Sequence, residues 1–361
     1  MSTVTEAFKT ALVKTFQKVQ QPSTFISNFY RKELLEGVTV ELQGQDIKST
    51  YSVDTKLSTE GRRHDFSLHE TKTYTVPEYN DYTDITENDI FKKQFGETQY
   101  TQALGKVIDI IKPRLEAFSA MQRRSEEKQA IEALLNGKIV LSDNSEIEFR
   151  KKASHDIDCS SNKWNVNAND PLEAIEAAGQ TIINDGKVTS PELNLILETN
   201  GVKALLGNEK FIKNSSYNNK IERSSIKIPV EQSIGAYFHG VFAAGSLTFN
   251  LWGYNGSYEI PKGFNFANEG KIVTYMPKGR GLILPTENKF TRFYGSLGDV
   301  NFENADDFFK SLFNVLQQEQ ISFAYPILMN GTKRIQAGVK SRPLYVPVNI
   351  DSSVSLSGIV E

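Results

Sequence analysis

The sequence predicts an α+β fold, and three observations carry that prediction. A β-rich stretch covers 38–80, where Val38, Val40 and Leu42, and later Phe66 and Leu68, alternate with polar residues. A helical periodicity then runs from about Tyr100 to Asn136. Beyond it, short strand-like runs and helices come in mixed order, without the strict alternation that builds a parallel sheet.

At the start, Thr3 or Thr5 can cap an amphipathic helix with Phe8, Leu12, Phe16 and Val19 on one face and Pro22 at its end. Lys9, Lys14 and Lys18 against Glu6 make it basic. It reads either as a helix on its own subunit or as an arm reaching a neighbour or packaged nucleic acid. Within the β-rich stretch, 54–65 is polar and contains Gly61, the pattern of a long hairpin with a solvated tip. An isolated two-stranded hairpin is marginal in water, so a long one needs a surface to lie on, and a second subunit is the natural candidate.

In the helical stretch Leu104, Ile108, Ile111, Leu115 and Phe118 repeat at spacings of four and three. Ile131, Leu134 and Leu135 resume that face after a charged interval, Arg123, Arg124, Glu126, Glu127 and Lys128. Gly137 suits the residue just past a helix end. Such a helix is roughly 50 Å long. Pro113 is the irregularity: an interior proline costs about 3 kcal/mol, which predicts a kink near Asp109 or a break with Pro113 opening a second helix.

Downstream, Lys138–Ser142 and Ser145–Arg150 flank Asp143-Asn144 as a hairpin. Pro171 behind Asp170 opens a helix through about Asn184. Leu193–Leu197 has the continuous apolar character of a buried strand, and Thr199 or Asn200 would cap a helix near Val202–Leu206. Ser246–Tyr254 alternates, and Asn255-Gly256 is the strongest two-residue hairpin signal in the chain. Asn304–Gln317 reads as an amphipathic helix carrying Phe308, Phe309, Leu312, Phe313 and Leu316, and strands follow at Tyr345–Ile350 and Val354–Ile359.

Composition bounds the function. The 361 residues are enough for one large or two medium domains, and 39% hydrophobic with 24% charged residues is ordinary soluble usage. No window nears the ~18 uninterrupted apolar residues of a membrane span, and the first residues lack the apolar core of a signal peptide. The single cysteine, Cys159, leaves no intramolecular disulfide and suits a reducing cytoplasm. A net charge of -3 argues against a protein whose main task is gripping nucleic acid.

Catalytic motifs are absent: there is no Walker A loop, no G-x-G-x-x-G, no G-x-S-x-G and no H-E-x-x-H. Pro277-Lys-Gly-Arg-Gly281 could hold a phosphate in its amides but reads better as a strand-connecting turn. His64 and His69 would point to opposite faces of a strand. His155 and Cys159 would share one strand face and Asp156 and Asp158 the other, without the paired spacing of a zinc site. Asp306-Asp307 reads as decoration of the helix at Phe308. The expectation is a chain with no catalytic, cofactor or metal residues, hence no enzyme.

Four segments carry a resemblance. Ile131-Glu-Ala-Leu-Leu-Asn-Gly-Lys-Ile139 ends a long helix and enters a hairpin. Trp164 precedes Asp170-Pro171-Leu-Glu-Ala-Ile175. Gly281-Leu282 leads to Arg292-Phe-Tyr-Gly295 and Asp299. Lys340-Ser-Arg-Pro-Leu-Tyr-Val-Pro-Val-Asn-Ile-Asp-Ser-Ser-Val-Ser-Leu356 closes the chain. In this order they resemble the major capsid proteins of lambda-type tailed phages, the phage capsid protein E family. The resemblance implies the Hong Kong 97-type capsid fold: an N-terminal arm (1–37), an extended loop (38–80), a peripheral domain (81–165 and 321–361) with a spine helix at about 100–136, and an axial domain (166–320). It also implies a shell of hexamers and pentamers, made in the host cytoplasm, that encloses double-stranded DNA through non-specific contact. Scaffold, portal and decoration proteins are further candidate partners, and a membrane is not. On this reading the loop tip, Lys56, Glu60, Arg62, Arg63 and His64, meets spine charges Arg123, Glu126 and Glu127 of an adjacent subunit. The rivals are an encapsulin-like nanocompartment shell, a β-rich tail or binding protein, and an uncharacterised enzyme.

Overall fold

The structure is a computed structural model that describes residues 25–45, 69–86, 89, 103–213, 225–263, 268–287, 290–297, 320–329 and 332–360. A 3-10 turn, Ile26–Phe29, runs into β1 (Tyr30–Leu34), and β2 (Thr39–Gln45) pairs with β3 (His69–Thr75) ahead of β4 (Tyr79–Ile85). Helix α1 (Ala103–Asn136) leads to the hairpin β5 (Lys138–Val140) and β6 (Glu146–Glu148), then β7 (Asp156–Asp158). Helix α2 (Pro171–Gly186), β8 (Glu192–Leu197) and α3 (Thr199–Gly207) come next. The strands β9 (Ser225–Ser233), β10 (Ala236–Ala244), β11 (Leu247–Tyr254), β12 (Ser257–Glu259), β13 (Ile272–Thr274), β14 (Gly281–Pro285) and β15 (Phe290–Tyr294) follow. Last come β16 (Ile321–Met329), β17 (Thr332–Ser341), β18 (Pro343–Val346) and β19 (Val354–Ser357).

The apolar run at 193–197 is continuous because β8 is covered on both faces. It sits in a seven-stranded sheet of order β7-β19-β14-β8-β11-β10-β9. Leu193, Leu195 and Leu197 face the core beneath α2 and α3, with Ile175, Ile182 and Leu205. Ile196, with Leu282 and Leu284 of β14, faces the other way, against Ala130, Ile131 and Leu134 of α1. Asp170 caps α2 as its spacing predicts, its carboxylate accepting from the Leu172 N–H at 3.0 Å. At α3 the cap is Glu198 instead of Thr199 or Asn200, and its side chain accepts from the Gly201 N–H at 2.9 Å.

Helix α1 is the hub of the molecule. Its first half packs Ile111 and Leu115 against Ile85, Ala337 and Val339 of the sheet β16-β17-β4. Its second half lies against the seven-stranded sheet and the small sheet β1-β15-β18. The helix is continuous over 34 residues with Pro113 inside it, so the predicted break does not occur. Pro113 is on the exposed side, where its ring meets solvent, and packing on either side of it holds the helix together. Gly137 ends the helix at φ +67, as expected.

Asn255-Gly256 does not make the hairpin it suggests. β11 turns back on β10 through Gly245-Ser246, where Gly245 has φ +57 and Ala244 faces Leu247. Asn255 instead donates its N–H to Gly235 O at 2.9 Å, and β12 pairs with β13. A hairpin at Asn255-Gly256 would lay β12 on the edge of β11 that β8 already occupies in parallel pairing. The predicted helices ahead of Pro22 and at 304–317 and the loop tip at 54–65 lie outside the described residues. No described helix is long and apolar enough to cross a membrane.

Candidate assembly surfaces

The charged interval of α1 does not present its acids to solvent. Glu126 is 1% exposed, Glu127 0% and Arg123 8%. Glu126 accepts from Arg123 Nη1 at 2.9 Å and from the hydroxyls of Tyr294 and Tyr345 at 2.8 and 3.0 Å. Burial, reinforced by the Glu126 charge, pushes the Tyr345 hydroxyl well above its ordinary pKa. Glu127 accepts from the Ile26 and Ser27 N–H groups, each at 2.9 Å, and from the Tyr254 hydroxyl at 2.7 Å. Burial raises the Glu127 carboxyl, and these donors act in the opposite direction. All three side chains expected to meet a neighbour's loop are therefore turned inward. Helix periodicity explains the correction: they share the face that carries Ala130 and Leu134 into the core.

What α1 does expose is a stripe on its other side. Lys112, Glu116, Met121 and Arg124 are exposed along it, and Met121 keeps 46% of its surface. Lys128 and Glu132, half-buried and paired at 3.0 Å, continue the stripe.

The ribbon β2–β3 is the second surface. Its strands pair over seven residues, from Thr39 opposite Thr75 to Gln45 opposite His69. That is roughly 23 Å of strand, and no third strand joins it among the described residues. Its base is anchored: Val40 and Val76 are buried beside Ala133, and Tyr74 lies 5.6 Å from the Phe149 ring. Lys56, Glu60, Arg62, Arg63 and His64 belong to the connection beyond Gln45, outside the described residues.

The remaining polar clusters serve the fold. His155 is fully buried with Nδ1 2.9 Å from Ser353 O and Nε2 3.1 Å from Asp185 Oδ2, which ties α2 to the segment before β19. Cys159 is buried, and burial together with Asp158 pushes its thiol up to about 11, the opposite of an activated nucleophile. The Pro277–Gly281 turn delivers the Gly279 N–H to the Glu198 carboxylate at 3.4 Å, so an acid already occupies the place considered for a phosphate. A cavity of about 480 Å³ between α3 and β10–β11 is lined mainly by Val202, Leu206, Tyr237, His239 and Gly253. The described residues hold no group of three metal-ligating side chains.

Comparison with known proteins adds a lineage to this geometry. The model of the family "phage major capsid protein E" matches residues 16–357. The putative capsid protein of a prophage of E. coli CFT073 superposes with a TM-score of 0.61 at 12% identity, covering 93% of each chain. The mature capsid of bacteriophage PhiM1 superposes with a TM-score of 0.48 at 8% identity, covering 93% of this chain and 87% of that one. The holo-SrpI encapsulin complex of Synechococcus elongatus PCC 7942 gives 0.44 at 8% identity, over 95% of this chain and 89% of that one. No curated protein matches the sequence.

Proposed function

The chain belongs to the phage major capsid protein E family, and on that premise we propose how its parts work in a shell. Its fold is the Hong Kong 97-type capsid fold and its function is that of a major capsid protein, a self-assembling structural subunit of the virion shell. The proposed division has an arm (1–37), an extended loop (38–80), a peripheral domain around α1 (81–165 and 321–361) and an axial domain (166–320). The hydrogen-bonded edge β19-β7 carries the axial sheet across both boundaries of that last unit.

The observation that carries the mechanism is the ribbon β2–β3, packed at its base and joined by no third strand among the described residues. Such a ribbon gains stability by lying on another surface. The surface proposed is the exposed stripe of a neighbour's α1, where Glu116 and Glu132 would meet Lys56, Arg62 and Arg63, and Met121 would be covered, with Glu60 and His64 completing the tip. Each contact is weak alone, but a subunit in a closed lattice makes several at once, and their energies combine. Hexamers and pentamers, assembly in the host cytoplasm, non-specific contact with packaged double-stranded DNA, and scaffold, portal or decoration partners complete the proposal. Shell building requires no catalysis, cofactor or metal.

Size-exclusion chromatography with negative-stain microscopy of the purified chain tests this reading. Rings or shells are the expected result. A lasting monomer at high concentration would refute it, and shells loaded with protein cargo in infected cells would favour a nanocompartment.

A further inference from the structure

The buried acid that sequence placed at a subunit boundary has a different task. We infer that Glu127 is the anchor that fixes the backbone at Ile26 and Ser27, the root of the segment that precedes Phe25 in the sequence. Its two carboxylate oxygens take the two consecutive N–H groups at the start of the 3-10 turn, Ile26 on Oε1 and Ser27 on Oε2, each at 2.9 Å. The Ser27 hydroxyl and the Tyr254 hydroxyl add two more donors. One side chain of α1 therefore satisfies a turn about a hundred residues earlier in the chain.

The surroundings make this a fixed mount. Phe25 is held among Phe29, Trp252 and Tyr254 at ring distances of 5.4, 5.0 and 5.7 Å. Tyr30 donates its hydroxyl to Ala130 O at 2.9 Å, one helical turn beyond Glu127. Ile26 and Ser27 are 0% and 1% exposed. Apolar packing alone would leave two buried N–H groups without partners, and each would lose a charge-assisted bond. Glu127 thus couples the root of the chain to α1, the element that touches every large sheet. Any reorientation of α1 carries that root with it. An arm that must find a neighbour needs such a defined root. In that purpose the inference rests on the shell reading, but its test does not.

The test is amide hydrogen exchange on the unassembled chain. Glu127→Gln presents an NH₂ group to one of two N–H donors, and Glu127→Asp withdraws the carboxylate by one methylene. Both variants are expected to speed exchange in the peptide spanning 25–30 by tenfold or more, with the peptide spanning 130–135 unchanged. Tyr254→Phe, which spares both amide bonds, should change exchange at 25–30 less than threefold. Unchanged exchange at 25–30 in both Glu127 variants would overturn the inference. So would equal acceleration in both peptides, which would make Glu127 a general core residue. Failure of the wild-type chain to form shells would count against the shell reading and leave this result standing.

Discussion

Lys151 is a buried cation at the end of a helix, and its chemistry sets a pH dependence. Its ammonium donates to Leu134 O at 3.0 Å, to Leu135 O at 3.1 Å and to the Ser355 hydroxyl, so it caps α1 and ties it to β19. Burial, opposed by the Asp156 charge, lowers its pKa from 10.5 to about 8. Between these values the unfolded chain binds the proton and the folded chain does not. Stability from this group therefore rises from pH 8 to 10.5, by up to roughly 3 kcal/mol, and is lost as pH falls through 8. Denaturant unfolding at pH 8 and pH 10 should show that rise in the wild type relative to Lys151→Met, which has nothing to titrate there. Nothing in the sequence pointed to this, because the lysine, the carbonyls and the hydroxyl come from three separate segments. The same limit hid Glu127. A run of charges on a helix reads as a solvated face, and only the tyrosines at 254, 294 and 345, far away in sequence, reveal that Glu126 and Glu127 point inward.

At the scale of elements, α1 was legible nearly residue for residue. Leu115, Ile131 and Leu134 sit on the periodic face, and each has a buried partner surface. Pro113 was legible as a cost but not in its outcome. It leaves the Asp109 carbonyl without its helical N–H partner, yet packing at Ile111 and Leu115 and the Ser119–Gln320 hydrogen bond at 2.6 Å keep the helix continuous. Pro113→Ala restores that bond and removes a penalty of about 3 kcal/mol. Greater freedom of the unfolded chain takes back up to ~1 kcal/mol. The net expectation is a gain of about 2 kcal/mol, seen as a higher unfolding midpoint with an unchanged slope. An equal or lower midpoint would mean that the helix is bent to suit the proline. Strand β8 was readable because both of its faces are buried, which is why its apolar residues do not alternate. Asn255-Gly256 misled because a local turn preference cannot show that the edge of β11 it would need is taken by β8, more than fifty residues earlier.

For the whole molecule, sequence supplied the fold class and the family, since the order of segments survives even where single motifs are weak. It could not supply the surfaces, which depend on which side of α1 the sheets occupy. The exposed stripe at Glu116, Met121 and Arg124 follows from that choice. If a neighbour's loop lies there, Arg62→Glu with Arg63→Glu places like charges against Glu116 and Glu132. Circular dichroism should show a folded subunit, and microscopy should show no closed shells; intact particles from this double variant would sink the proposed contact. A last consequence follows from the position of β19. It is bonded in parallel to β7 and antiparallel to β14, joining Ser355 to Asp156 and Ile283 to Val354. On the ribosome, β7 emerges long before its neighbour exists, and both it and β14 wait with open edges until Ser357 has been synthesised. A half-translated chain therefore lacks the strand that joins them. A chain cut short of Val354 should thus carry two unpaired strand edges and be digested faster by protease than the whole chain.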